Sequence, residues 1–367
     1  MKRKPINLIV AFILTLVVSC NEPETVVTNY VHPDGSVTRK IEMKSHEGDV
    51  KKRFNISDIQ VPFDGGWIVR DSCEVDEKGD TTWIRKAEKL FKSIVEINLA
   101  YKSDSSANKD VLRSAGFKKR FKWFNTEYRF SERIDKKLSF GYPVKDFLNN
   151  DELLYFYSPE SLKNEKESGP DSLKYKALSD SVKRKTDTWS TKNIVSEWIY
   201  EFSNLTAGKA GIDMTRESLK ARENEFTKIV EANNEKFDSL WSNGILLRMF
   251  IGEDNALRYK TEADTAFEKV TKRFFVSFKD YSVRIAMPGK LIGTNGFIDR
   301  SKVLLWPVKS DYFLTEPYLM WAESKISNKW AWIVSGFFLV FVLTGVIMRV
   351  IKKDLIPQPF FNPYPPY

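Results

Sequence analysis

From Trp330 to Met348 the chain carries no charged side chain, and most positions are apolar. A helix rises about 1.5 Å per residue and a hydrocarbon core is about 30 Å thick, so a run of this length predicts a membrane span. Trp321, Trp330 and Trp332 lie before it or at its start, where indoles favour the headgroup layer, and Arg349, Lys352 and Lys353 close its far end. A second, shorter apolar run, residues 6–18, follows the basic Lys2, Arg3 and Lys4. That pattern predicts a secretory signal, which would put the following chain outside the cytoplasm and the end beyond the span inside it. Lys325 and Lys329 flank the span on the outer side, so the export signal, more than the charge bias, sets the orientation.

Between the two runs the period changes. Residues 25–31 and 36–43 alternate around His32-Pro33-Asp34-Gly35, which predicts a hairpin, and residues 66–75 and 81–84 predict a second strand pair across 76–80. Residues 86–100 fit a strand or a short helix. In 117–134 the apolar positions are odd (Phe117, Phe121, Trp123) and then even (Phe124, Thr126, Tyr128, Phe130, Ile134). A switch at Trp123-Phe124 predicts a bulge or bend in one half-buried strand. Basic residues interleaved there with aromatics also fit a grip on an anionic headgroup or polymer.

Residues 164–170 are a polar linker ending in Gly-Pro, and helical spacing follows. Leu173, Leu178, Val182 and Trp189, then Ile194, Trp198, Phe202 and Leu205, predict one long helix or two broken near 187–190. A second helix from about Thr215 carries Leu219, Phe226, Val230, Phe237 and Trp241 and stops at Asn243-Gly244. The two are expected to form an antiparallel hairpin, with their stripes packed on each other or on a sheet. Residues 272–278 and 281–287 then alternate with opposite parity, Pro288-Gly289 and 294–296 supply turns, and 302–308 return as a strand with Pro307 at an edge or end. The expected fold class is α+β: an antiparallel β-sheet ectodomain split by an inserted helical hairpin, plus one C-terminal transmembrane helix. Its boundaries are a signal at 1–19, a β-rich part at 20–163, a helical insert at 164–271, a second β part at 272–327, the span at 328–351 and a Pro-rich cytoplasmic tail at 352–367.

Composition fits a folded ectodomain of roughly 300 residues, one large or two modest modules: 42% hydrophobic, 14% aromatic and 29% charged. Loss of Lys2, Arg3 and Lys4 with the signal takes the formal charge from +9 to +6, a mild excess that argues against nucleic acid as a partner outside the cytoplasm. Val17-Val18-Ser19-Cys20 resembles the lipobox of bacterial lipoproteins, whose cysteine receives diacylglycerol, so Cys20 is the expected lipid-attachment site. With Cys20 acylated, Cys73 has no internal disulfide partner, and its strand-like setting predicts a small buried hydrophobe. His32 belongs to the predicted turn and is expected to be exposed, and neither it nor His46 has a metal-ligand spacing. Glu217, Glu223, Glu225, Glu231 and Glu235 alternate with Lys220, Lys228 and Lys236 as on a solvated helix face. No catalytic residue, cofactor or metal site is legible. The tail beyond 354, with five prolines and four aromatics, is expected to be extended.

The opening hairpin with its Asp34-Gly35 turn after a lipobox, and residues 283–306 ahead of a span with a basic tail, resemble the LppM-like family of bacterial envelope lipoproteins. That resemblance implies an α/β ectodomain tethered by a C-terminal helix, no catalytic residues to carry over, and a role in binding envelope lipids or glycolipids. The large central helical region departs from the small family pattern. The expected protein is a non-enzymatic lipoprotein of the bacterial cytoplasmic membrane, single-pass, with its ectodomain on the periplasmic side. Its expected partners are membrane lipids, an envelope polymer or another membrane protein. The alternatives are a structural subunit of an inner-membrane complex, or a hydrolase of lipid or cell-wall material.

Overall fold

The computed structural model describes residues 24–46, 48, 54, 66–103, 111–138, 141–209, 214–274, 278, 280–298 and 303–354. The expected signal, Cys20 and the tail beyond 354 lie outside the described residues. β1 (Glu24–Val31) and β2 (Val37–Ser45) form the expected hairpin, with Gly35 at φ +92° in its turn. β3 (Ile68–Val75) and β4 (Thr81–Phe91) pair antiparallel, and α1 (Ile94–Lys102) follows with Ser93 capping it. The ambiguous run 86–100 is thus a strand and then a helix.

Residues 117–134 are two strands, β5 (Arg113–Lys122) and β6 (Asn125–Ile134), and the predicted bulge is instead a two-residue turn at Trp123-Phe124. The parity switch has the same origin in both cases. Lys122 opposes Asn125 and Phe117 opposes Phe130, so odd positions of β5 share a face with even positions of β6. Trp-Phe lacks the Asn-Gly chemistry that usually marks such turns.

Between β6 and β7 the chain is helical: α2 (Asn150–Tyr157), α3 (Glu160–Glu167), α4 (Ser172–Thr206), α5 (Arg216–Ala221), α6 (Glu223–Ala232), α7 (Phe237–Ser242), α8 (Ile245–Ile251), α9 (Glu253–Arg258) and α10 (Lys260–Phe274). α3 occupies part of the expected linker, and α4 runs unbroken for 35 residues. The expected second helix is three pieces, broken where Arg222 and Asn233 leave helical geometry, so the two-helix hairpin is replaced by one long helix and several short ones. The apolar spacing survives the breaks because every piece faces the same core. Lys272–Phe274 close α10 and are not a strand; three residues of apparent alternation are too few to declare a period.

β7 (Tyr281–Ala286), β8 (Lys290–Thr294), β9 (Phe297–Ile298), β10 (Leu304–Val308) and β11 (Tyr318–Ser327) complete the strands, and α11 (Lys329–Asp354) follows. Among the described residues they form two sheets where one was expected, β3-β4-β2-β1-β7-β10-β9 and β5-β6-β11-β8. All pairings are antiparallel except β1 with β7, which runs from Val26 opposite Ser282 to Tyr30 opposite Ala286. No turn joins these two strands, so nothing local dictates their relative direction. Pro307 sits past the two-residue β9, where that side of β10 is unpaired.

The inner faces meet in one core, with Val27, Val37, Ile41, Met43 and Val283 of the first sheet against Phe130, Ile134, Met320 and Ala322 of the second, closed by Ile97, Phe156 and Trp189 from the helices. A second core gathers Trp198, Ile199 and Phe202 of α4 with Leu219, Phe226, Trp241, Phe250 and Ala263. α4 therefore serves both. Across the first core runs a polar knot: Arg39 Nε donates to Asn29 Oδ1 (2.8 Å), its guanidinium bonds the Glu132 carboxylate, and Tyr101 Oη donates to Glu132 Oε1 (3.0 Å). Arg39 and Glu132 are 2% and 5% exposed, so the pair links the two sheets away from water.

A half-buried cation makes stability depend on pH. Lys137 Nζ donates to Ser310 Oγ (2.5 Å) beneath the rings of Phe278 and Phe313. Burial lowers its pKa to about 8, against the opposite pull of Asp311 and Asp280. An unfolded lysine keeps its proton to about pH 10.4, so between these values the unfolded state binds more protons and stability rises with pH. Burial meanwhile pushes Tyr281 up to about 12 and raises Tyr312 and Tyr318 further. Above about pH 10 the unfolded tyrosines ionise first, the folded state holds more protons, and stability falls. Urea midpoints are expected to climb from about pH 8 to about pH 10 and then drop, and Lys137→Met should lose the climb while keeping the drop.

Candidate functional site: an aromatic collar at the start of α11

Among the described residues one helix, Lys329–Lys352, is long and apolar enough to cross a membrane. Phe337, Phe338, Leu339, Val340 and Phe341 are all exposed on it, which in water would be an unfavourable surface. Only Asn328 separates α11 from β11, and that residue binds the β5–β6 turn. Its backbone N–H donates to Phe124 O (2.9 Å), its amide donates to Lys122 O (2.8 Å), and its amide oxygen accepts from Thr126 Oγ1 (3.0 Å).

These bonds bring the turn alongside the first turns of α11. Phe121 stacks on Trp330 (6.3 Å between centroids), Trp123 meets the same indole edge-on (5.2 Å), and Phe124 packs on Trp332 (4.4 Å). Trp123 Nε1 donates to Ser335 Oγ (3.0 Å). All five rings remain between 39% and 59% exposed, so they form a collar around the helix without being buried by it. Indoles, with an apolar ring and an N–H that can stay wet, favour the headgroup layer. Lys118, Lys119, Arg120 and Lys122 on β5, with Lys325 and Lys329, place cations on the strands and helix that frame the collar. Each lysine or arginine held near an anionic surface contributes roughly 1 kcal/mol.

The predicted strand of interleaved aromatics and cations is thus a hairpin beside the start of α11, and the predicted Trp330 and Trp332 lie in the collar. Trp321 does not. It sits on β11 beneath the Arg129 guanidinium (4.8 Å), which also bonds Glu323 (2.8 Å). Cys73 is exposed, not buried, because β3 is the edge strand of the wider sheet and every one of its residues is open to solvent. His32 is half-buried against Thr38 Oγ1 (2.9 Å), and His46 bonds Thr82 Oγ1 (3.2 Å). Of the five glutamates read as a solvated face, Glu223 is buried, accepting from Tyr142 Oη (2.5 Å) and Lys220 Nζ (2.9 Å). Its position on the stripe of Leu219, Phe226 and Val230 carried that information. Glu197 and Glu201 of α4 are buried facing Arg273 of α10 at 3.2 and 2.7 Å, and neither stood out in the sequence.

Two open grooves are also formed by the described residues. One of about 480 Å³ lies between α2 (Leu153, Leu154, Tyr157), Phe297, Trp306 and the start of β11. The other, about 500 Å³, lies between α5, α8 and α9, beside Arg222 and Arg248. Arg222 is held by Glu225 and Arg248 by Glu253.

No protein-family model matches this sequence, and no curated protein does. A solved structure with a similar course is the folded domain of LppM from Mycobacterium tuberculosis, determined by NMR, at 11% identity and a TM-score of 0.29 over 84% of this chain and 92% of that one. The likeness is loose and carries no residue across.

Proposed function

We propose that this chain is an envelope lipoprotein of the bacterial cytoplasmic membrane, acylated at Cys20 and crossing the bilayer once through α11, whose ectodomain seats on the outer leaflet and binds its lipids through the collar. The observation that carries this reading is the clasp between the β5–β6 turn and the first turns of α11. Five half-exposed rings at the base of an apolar helix, framed by lysines, have the chemistry of a headgroup layer on one side and hydrocarbon on the other. The work done there is binding: rings and cations gain energy from lipid without any nucleophile or acid–base pair taking part.

The test uses the full chain with both cysteines replaced by serine and a single Phe124→Cys carrying an environment-sensitive fluorophore. After reconstitution into phosphatidylglycerol-containing vesicles its emission should shift to the blue and be quenched by lipids brominated near the headgroup. A label at Glu77, in the loop between β3 and β4, should stay aqueous. A label at 124 that remains in water rules the collar out as a docking site.

A further inference from the structure

The described chain enters and leaves the ectodomain at opposite poles. Phe121 meets Trp330, and Trp123, two residues nearer the hairpin tip, reaches Ser335. Two strand residues advance about 6.6 Å and five helical residues about 7.5 Å. The hairpin and α11 therefore run side by side in the same sense, and a transmembrane helix stands on average about 20° from the bilayer normal.

The first sheet stands the same way up. β7 ends at Ala286, and Lys290 opens β8 opposite Lys325. Gly289 between them lies so close to β11 that a Cβ there would come within 2.4 Å of the Lys325 carbonyl. The C-terminal end of β7 thus faces the bilayer. β1 is parallel to β7, so β1 also ends toward the bilayer and begins away from it. Asn29 Nδ2 bonds Glu132 Oε1 (3.4 Å), which sets the sheets at a common level. Glu24 is five residues beyond Asn29, and Asn125 seven residues below Glu132. At about 3.3 Å per residue the two levels are about 40 Å apart, or about 35 Å if the sheets cross at about 30°.

Cys20 precedes Glu24 by four residues, a reach of at most about 14 Å. Even fully extended, that reach would end about 20 Å short of the collar. An acyl chain stabilises attachment only when its methylenes leave water, so one held at that height gains nothing from the bilayer that α11 crosses. We infer, resting on the acylation of Cys20 proposed above, that the N-terminal acyl chains enter a second bilayer facing the first. The protein is then a tether that holds two lipid surfaces about 40–55 Å apart.

The test is bridging by the full-length protein. Its intact mass first reports whether Cys20 carries a diacylglyceryl group. The protein is then reconstituted through α11 into phosphatidylethanolamine–phosphatidylglycerol vesicles and mixed with protein-free fluorescent vesicles of the same composition. Acylated protein is expected to carry the fluorescent vesicles with it on flotation several-fold above a Cys20→Ser variant. Acylated protein that captures no more than the variant overturns the tether and leaves the acyl chains on their own membrane or in the groove beside Trp306. An unmodified Cys20 overturns the lipoprotein reading, and the tether with it.

Discussion

Alanine at position 132 is expected to cost the protein about 3–5 kcal/mol, enough to leave many small domains largely unfolded. Glu132 Oε1 collects Arg39, Tyr101 Oη and Asn29 Nδ2 at one point between the sheets. Removing the carboxylate strands a guanidinium that is 2% exposed and has the rings of Phe91 and Tyr101 5.7 and 5.2 Å from its carbon. Those rings offer some compensation, but less than a charged acceptor in the same low-dielectric setting. Replacing both partners, Arg39→Met with Glu132→Leu, should recover only part of the loss: the stranded charge is gone, but Asn29 and Tyr101 Oη lose their partners in the same low-dielectric setting. Urea denaturation of the parent, Arg39→Met, Glu132→Leu and the double variant measures the coupling directly. A Glu132→Ala protein within 1 kcal/mol of the parent would mean that water or a repacked side chain reaches Arg39, and the knot would then be incidental to the union of the sheets.

That knot also marks the limit of what the sequence disclosed. Strands and helices were legible because their periods are local: alternation around Asp34-Gly35, and three-to-four spacing from Leu173 to Leu205. Alternation does put Arg39 on the face of Val37, Ile41 and Met43 and Glu132 on the face of Tyr128, Phe130 and Ile134, but it says only which residues share a face, not that these two meet across the sheets. The parallel pairing of β1 with β7 joins segments roughly 250 residues apart with no turn between them, so no local rule could reach it. The same holds for the collar. Its aromatics were visible at 117–124 and again at 330–332, but their meeting follows from β11 pairing along the whole of β6, a contact that exists only once the fold is known. The helix breaks at Arg222 and Asn233 were hidden for a different reason: neither Gly nor Pro occupies those sites, and the apolar stripe continues across them.

Trp198→Ala is expected to destabilise the helical half by about 3–5 kcal/mol while leaving the sheets protected. Trp198 stacks on Phe202 at 4.8 Å, lies 5.7 Å from Phe250 and meets Trp241 edge-on at 5.9 Å, and its Nε1 donates to Ala263 O (3.3 Å). It thus joins α4 to α7, α8 and α10 at one point. Short helices such as α5, α7 and α8 are too brief to persist without a packed partner, so losing this ring removes what holds them. The opposite end of α4 is anchored separately, with Trp189 buried in the first core and donating to Tyr142 O (2.7 Å). Hydrogen exchange distinguishes two modes of failure. Faster exchange confined to α5–α10 and the C-terminal half of α4 is the expected pattern, with β1, β2 and β6 unchanged. Uniform acceleration across both halves would show that a 35-residue helix shared by two cores welds them into one cooperative unit, so that the second core could not open while the first stays closed.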